Sequence, residues 1–186
     1  MDHKGLRRKY IPLIPRLNDV LKHVKSQFSN LPSSEFQFEA NFKPYDSVKR
    51  KMENEKVNDP GELSDLVRGR LFFSPKFEHY DVINIAKNFF GDKIIEIDEN
   101  PQKSKEHGLE YHGITHINMD INGIHFELQL MPKEFQPYKD LLHKIYEKLR
   151  DPKKSGELSD KQKEFLRKTH NKMYKELDKS SKKRSS

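Results

Sequence analysis

The dipeptide Asn122-Gly123 constrains this chain more than any other feature. It separates two runs, residues 114–121 and 124–130, in which apolar and polar side chains alternate. An Asn-Gly link of two residues supplies the positive φ angles of a type I′ turn, so the runs form an antiparallel hairpin. The turn also sets the register. Ile121 lies opposite Ile124, Asp120 opposite His125, Met119 opposite Phe126, Asn118 opposite Glu127, Ile117 opposite Leu128 and His116 opposite Gln129. Side chains alternate across a strand, so one face collects Ile117, Met119, Ile121, Ile124, Phe126, Leu128 and Leu130. The other face collects His116, Asn118, Asp120, His125, Glu127 and Gln129, without a Lys or Arg. A solvated strand face accounts for alternation alone. Exposed strands, however, use Thr, Lys and Arg freely, and a carboxylate-bearing surface with no cation of its own suits Mg²⁺, which takes oxygen ligands.

Around the hairpin the pattern is α/β. Leu6, Tyr10, Leu13, Leu17, Val20, Leu21, Val24 and Phe28 recur at helical spacing, and Pro12 and Pro15 place the regular helix from about residue 15. Residues 46–55 read as a short helix capped by Asp46 or Ser47. A turn at 58–61 precedes a strand at 66–73, a helix at 77–90 stopped by Gly91, and a strand at 93–98. Residues 99–110 are polar. Helices at 134–150 and 157–178 follow the hairpin. The expectation is one domain over 1–179, a mixed β-sheet flanked by helices, with a disordered tail at 180–186.

Composition narrows the function. The 186 residues contain no Cys, so disulfides and thiol chemistry are excluded. No run of 18 apolar residues crosses a membrane, and no apolar stretch follows the basic N-terminus, so the expectation is a cytoplasmic protein. The net charge of +7 resides in the C-terminal quarter, where residues 139–186 hold 16 Lys/Arg against 8 Asp/Glu. Such a surplus is either a solvated helix or an attraction for phosphates and nucleic acid.

Three motifs in order resemble the RelA/SpoT synthetase domain, over about residues 6–150. They are Lys43-x-x-x-Ser47-x-x-x-Lys51; Asp65-Leu-Val-Arg68-Gly-Arg70; and Tyr111-His112-Gly-Ile-Thr-His116, followed after the turn by Glu127-x-Gln129. His143 in the next helix matches as well. The DLVRGR and YHG forms resemble the divergent, single-domain small alarmone synthetases and toxin-like members. The resemblance implies a nucleotidyltransferase-like fold and a Mg²⁺-dependent pyrophosphokinase, which moves the β,γ-pyrophosphate of ATP to a 3′-hydroxyl and releases AMP. It implies Asp65 and Glu127 as metal ligands; beyond the resemblance, Glu127 is a candidate acceptor for the proton of the attacking hydroxyl. Lys43, Ser47 and Lys51 would hold the ATP phosphates, and Arg70 would stack on adenine. Gln129 and His116 would orient the acceptor, and Tyr111 or His112 would stack on its base.

Two departures from the pattern matter. Asn41 stands where an Arg usually completes the adenine sandwich, so Arg68 or Arg50 is a candidate substitute. His112 stands where the base-stacking aromatic usually lies. The acceptor therefore stays open between a guanine nucleotide (GDP or GTP), a tRNA 3′ end and an adenine nucleotide, with Lys103 and Lys105 as candidate acceptor-phosphate contacts. A catalytically silent nucleotide- or RNA-binding module on the same fold is the alternative. Substitution of Asp65 or Glu127 by its amide is expected to abolish turnover with little change in folding.

Overall fold

The computed structural model describes residues 3–99, 108–109, 113–151 and 155–184. Tyr111, His112, Lys103 and Lys105 lie outside the described residues. The hairpin is β4 (Thr115–Ile121) and β5 (Ile124–Pro132), paired antiparallel in the register that the turn dictates. Asn122 and Gly123 have φ of 56° and 72°, and the turn is fastened by Gly123 N–H donating to Asp120 Oδ1 at 2.7 Å.

Five strands form one mixed sheet in the order β1-β2-β5-β4-β3, with β1 (Phe36–Phe42), β2 (Val67–Phe73) and β3 (Ile94–Asp98). β2 lies parallel to β5 and antiparallel to β1, while β3 lies antiparallel to β4 at the far edge. β1 is absent from the expectations above. Its signal is nevertheless present, since Phe36, Phe38, Ala40 and Phe42 alternate with Gln37, Glu39 and Asn41.

The apolar face of the sheet packs on α2 (Ile14–Phe28) and α4 (His79–Phe90). α2 presents Leu17, Val20, Leu21, Val24 and Phe28, and α4 presents Val82, Ile83, Ala86 and Phe90. A shorter α1 (His3–Tyr10) precedes α2, and a 3-10 turn between them takes Pro12 in its first positions, as α2 takes Pro15. α4 starts on a capping box between Glu78 and Asp81 and stops at Gly91, at φ 42°. Gly69 in β2 is required by packing, because a Cβ there would lie 2.7 Å from Phe126 and 2.9 Å from Phe38.

On the opposite face, one end is apolar. Phe72, Ile114, Met131, Phe135, Leu142 and Tyr174 form a second cluster that seats α5 (Lys139–Arg150) and α6 (Asp160–Arg184). The expected helix over 134–150 divides, since residues 133–138 with Pro137 form a 3-10 turn before α5. α6 continues to Arg184, past Ser180 where composition places a disordered tail, and Ser180 Oγ bonds the Glu176 carbonyl within it. No helix among the described residues is long and apolar enough to cross a membrane.

Candidate active site

The polar half of that second face is built from two cross-sheet rows. Asn41, Arg68, Glu127, Asn118 and Glu96 are consecutive partners across five strands. Two residues along, Glu39, Arg70, Gln129, His116 and Asp98 form the next row. Parallel pairing of β2 with β5 sets Arg68 beside Glu127 and Arg70 beside Gln129. The sequence contains each member, but only the strand order makes them neighbours.

Asp65 occupies the turn that enters β2, as its position before the apolar run suggests. It is buried, and three cations converge on its carboxylate: Lys43 Nζ and Arg68 NH2 on Oδ2 at 2.8 Å each, and Lys51 Nζ on Oδ1 at 2.7 Å. Lys43 reaches it from the end of β1, where its backbone N–H donates to Leu66 O at 2.8 Å and its carbonyl accepts from buried Tyr10 at 2.7 Å. Lys51 reaches it from α3 (Tyr45–Glu55). Burial alone would raise the Asp65 pKa, but the hydrogen bond and charge of Lys43, with Lys51 and Arg68, outweigh it and hold the carboxyl down at about 2. Burial pushes the Lys43 ammonium the other way, below its ordinary value despite Asp65.

Arg68 joins the two carboxylates of the motif. Its NH2 bonds Asp65, and its Nε lies 2.7 Å from Glu127 Oε1, close enough for an ion pair though not aligned as a hydrogen bond. Desolvation disfavours the guanidinium charge, yet Glu127 and Asp65 keep its pKa raised. Glu127 also accepts from Gln129 Nε2 at 2.8 Å, and Gln129 Oε1 accepts from Arg70 Nε at 3.1 Å. Arg70 NH1 in turn meets Glu39 at 3.2 Å, and Lys139 from the start of α5 bonds the other Glu39 oxygen. One continuous polar network thus runs from α3 through the sheet to α5.

The structure brings together Lys43, Lys51, Asp65, Arg68, Arg70, Glu127 and Gln129. His116 borders them: burial lowers its pKa while the charge of Glu127 opposes that. His143 of α5 is lowered likewise by burial and feels Arg70 and Arg68. Ser47 lies one turn before Lys51, but it does not cap. α3 starts at Tyr45 with Pro44 in the capping position, and no side chain caps the helix there. Arg50 is exposed on α3, and Asn41 is exposed beside Arg68. Glu39 and Lys139 are site residues that the motifs do not contain. The alternation of β1 marks Glu39 for the polar face, whereas Lys139 arrives only through helix docking.

Chemically, five cations face four carboxylates in this network, counting Glu55, which meets Lys51 at 3.2 Å, so the surplus charge is positive and suits an anion. Asp65 and Glu127 both contact the guanidinium of Arg68, which lies between them. Among the described residues no third His, Asp or Glu joins them in a ligand cluster. An ion there would complete its shell with phosphate oxygens and water, which is how Mg²⁺ usually binds.

No family model and no curated protein sequence matches the chain. Solved structures do. Small alarmone synthetase 2 from Bacillus subtilis superposes with a TM-score of 0.64 at 17% identity, over 92% of this chain and 95% of that one. The fold is that of the small alarmone synthetases. Small alarmone synthetase 1 from the same organism, bound to its product pppGpp, shares this synthetase fold with a TM-score of 0.57 and 16% identity, over 95% and 93% of the chains. So does a chain in the complex of the Type VI effector Tas1 with its immunity protein, with a TM-score of 0.54 and 15% identity, over 97% and 99%. Within this fold the described motif residues lie just after β1 (Lys43), on α3 (Ser47, Lys51), in the turn into β2 (Asp65), on β2 (Arg68, Arg70) and on the β4–β5 hairpin (His116, Glu127, Gln129).

Proposed function

We propose that this chain is an ATP-dependent pyrophosphokinase that uses Mg²⁺. It transfers the β,γ-pyrophosphate of ATP to the 3′-hydroxyl of a guanine nucleotide or of a tRNA 3′ end and releases AMP. The observation that carries this reading is the triad of Lys43, Lys51 and Arg68 converging on Asp65 beside Glu127. The fold's occurrence in a synthetase solved with its product pppGpp supports it.

Asp65 balances the cations when no polyphosphate is present. A triphosphate offers the same three groups more charge and more acceptor oxygens than one carboxylate. Lys43, Lys51 and Arg68 then turn to the phosphates, and Asp65 and Glu127, freed of them, would be the residues to hold Mg²⁺. When bound, the ion would supply charge neutralisation at the phosphates. Arg70, held in place by Glu39 and Gln129, presents its planar face to adenine. The acceptor 3′-oxygen attacks the β-phosphorus, and the bond from that phosphorus to the oxygen shared with the α-phosphate breaks. AMP leaves with that oxygen, and the hydroxyl proton passes to Glu127 or to water. Little covalent help is needed, since positioning and cation placement lower the barrier.

The test is ATP labelled at the γ-phosphate, incubated with Mg²⁺ and separately with GDP, GTP, ADP and tRNA. Label moving to an acceptor with equimolar AMP supports the proposal. Glu127→Gln is expected to lower kcat by about 10²-fold or more. The exposed Asn41 in place of the second stacking Arg favours a silent nucleotide-binding module instead. ATP binding without transfer to any acceptor would establish that module and defeat the enzyme reading.

A further inference from the structure

Resting on that reading of the phosphate site, we infer that Tyr10 of α1 is a positioning residue for it, fixing the peptide from which Lys43 extends. Lysine carries its charge on a flexible stem, so the ammonium is aimed only as well as its backbone is held. Both backbone polar groups of Lys43 are held by neighbouring segments. Its N–H donates to Leu66 O at 2.8 Å, which ties it to the turn beside Asp65. Its carbonyl accepts from Tyr10 Oη at 2.7 Å. The next residue is Pro44, so the peptide that joins them has no N–H, and that carbonyl is its one hydrogen-bonding group. Tyr10 belongs to none of the site motifs and lies on a different element from all of them.

The same side chain reaches α3. The Tyr10 ring meets Tyr45, the first residue of that helix, edge to face at 5.8 Å between centroids. Tyr10 thus touches both the peptide of Lys43 and the start of the helix that carries Ser47 and Lys51. α1 also grips the far end of this segment, where Lys9 Nζ donates to Asn58 O at 3.0 Å. Between the two grips lies a hollow of about 340 Å³ bordered by Leu6, Met52 and Val57, so close packing does not substitute for them. α3 itself buries Val48 and Met52 out of eleven residues. Its place over Asp65 therefore depends on what holds its ends. Tyr10 is buried, and burial raises its phenol pKa above the ordinary value, so the hydroxyl remains a donor through the neutral range. Because the bond is to backbone, it persists while the Lys43 ammonium leaves Asp65 for a phosphate oxygen. Without it the carbonyl loses its partner and the peptide turns toward water. The ammonium then no longer meets an anion together with Lys51 and Arg68.

The test is a double-mutant cycle read by tripolyphosphate binding in the absence of Mg²⁺. Tyr10→Phe keeps the ring on Tyr45 and removes the hydroxyl. It should weaken binding by about threefold to tenfold, the worth of one hydrogen bond. In a Lys43→Met background the same change should have no effect, because the hydroxyl acts through that ammonium. Val20→Ala, a change on α2 in the same core, should leave the affinity unaltered. NMR reads the contact directly, since Lys43-Pro44 is the single Lys-Pro step in the sequence. Carbonyl-¹³C lysine combined with ¹⁵N proline therefore gives one correlated signal, which Tyr10→Phe should move upfield as the hydrogen bond is lost. Equal weakening in both backgrounds would make Tyr10 a general support of the fold and overturn the inference. Unchanged binding in Tyr10→Phe, or an unmoved carbonyl signal, would overturn it as well and leave the phosphate site standing. Failure of the unmodified chain to bind tripolyphosphate overturns the phosphate site and this role together.

Discussion

Asp65 carries the largest share of the site's electrostatics. Three cations depend on it, so the expectation that its amide would fold unchanged has to be revised. Asp65→Asn leaves Lys43, Lys51 and Arg68 facing one another in a half-buried space. A loss of about 2 kcal/mol is expected in urea unfolding. Tripolyphosphate should raise the melting temperature of the variant more than that of the unmodified chain, because an anion replaces the missing charge. No difference between them would remove the cations from the phosphate site. Acid should act through the same carboxyl. Its folded pKa, at about 2, lies below the unfolded value, so its contribution is complete above about pH 4 and disappears as pH falls toward 2. His116 works in the same direction at higher pH. Burial keeps the imidazole neutral, so stability declines as pH drops below about 6.5, the unfolded value. Unfolding midpoints against pH should show both limbs, and Asp65→Asn should make the lower one shallower, with Glu35 and Glu39, also held below the usual carboxylate range, supplying the remainder.

At the level of the element, β2 is the strand on which the site depends. Its alternate residues Arg68 and Arg70 enter the polar network, while Gly69 between them lets two aromatic rings close over its Cα. Gly69→Ala requires Phe126 or Phe38 to shift and is expected to cost roughly 1–3 kcal/mol, measured by chemical denaturation. Activity should fall with it, because displacement of β2 separates Arg68 from Glu127. Glu39 on β1 acts through Arg70. Glu39→Gln should weaken ATP binding by about threefold to tenfold, in line with a partly exposed charge-assisted bond, with kcat changed less. A split in the other sense, with kcat falling and KM unchanged, would show that Arg70 does not bind the nucleotide in its ground state.

For the molecule as a whole, one sheet separates two tasks. The face under α2 and α4 is continuous core, and the other face is core only where α5 and α6 dock. Tyr174 is central to that docking, packed on Phe135 at 5.6 Å and buried strongly enough to raise its phenol pKa well above the ordinary value. Tyr174→Ala is expected to cost about 3 kcal/mol or more and to speed amide exchange along α6 before the sheet exchanges. Uniform loss of protection through the sheet and α6 would mean that the two layers unfold together. Lys139 would lose its hold on Glu39 as α5 loosened, so this distant change should also affect Arg70.

The sequence by itself determined the hairpin and its register, the polarity of each hairpin face, most helices and the motif residues. These follow from local rules, since a two-residue turn admits one backbone geometry and periods of 2 and 3.6 sort side chains within an element. β1 is equally legible in its alternation of Phe and Ala with Gln, Glu and Asn. The tertiary structure alone decided that β2 inserts beside β5 in parallel, because that contact closes over more than fifty residues of intervening chain. From it follow the Arg68 bridge between Asp65 and Glu127, the Arg70–Gln129 bond and the arrival of Lys139. Charge neutralisation in a buried space depends on which groups are brought within about 3 Å, and no spacing along the chain encodes that distance.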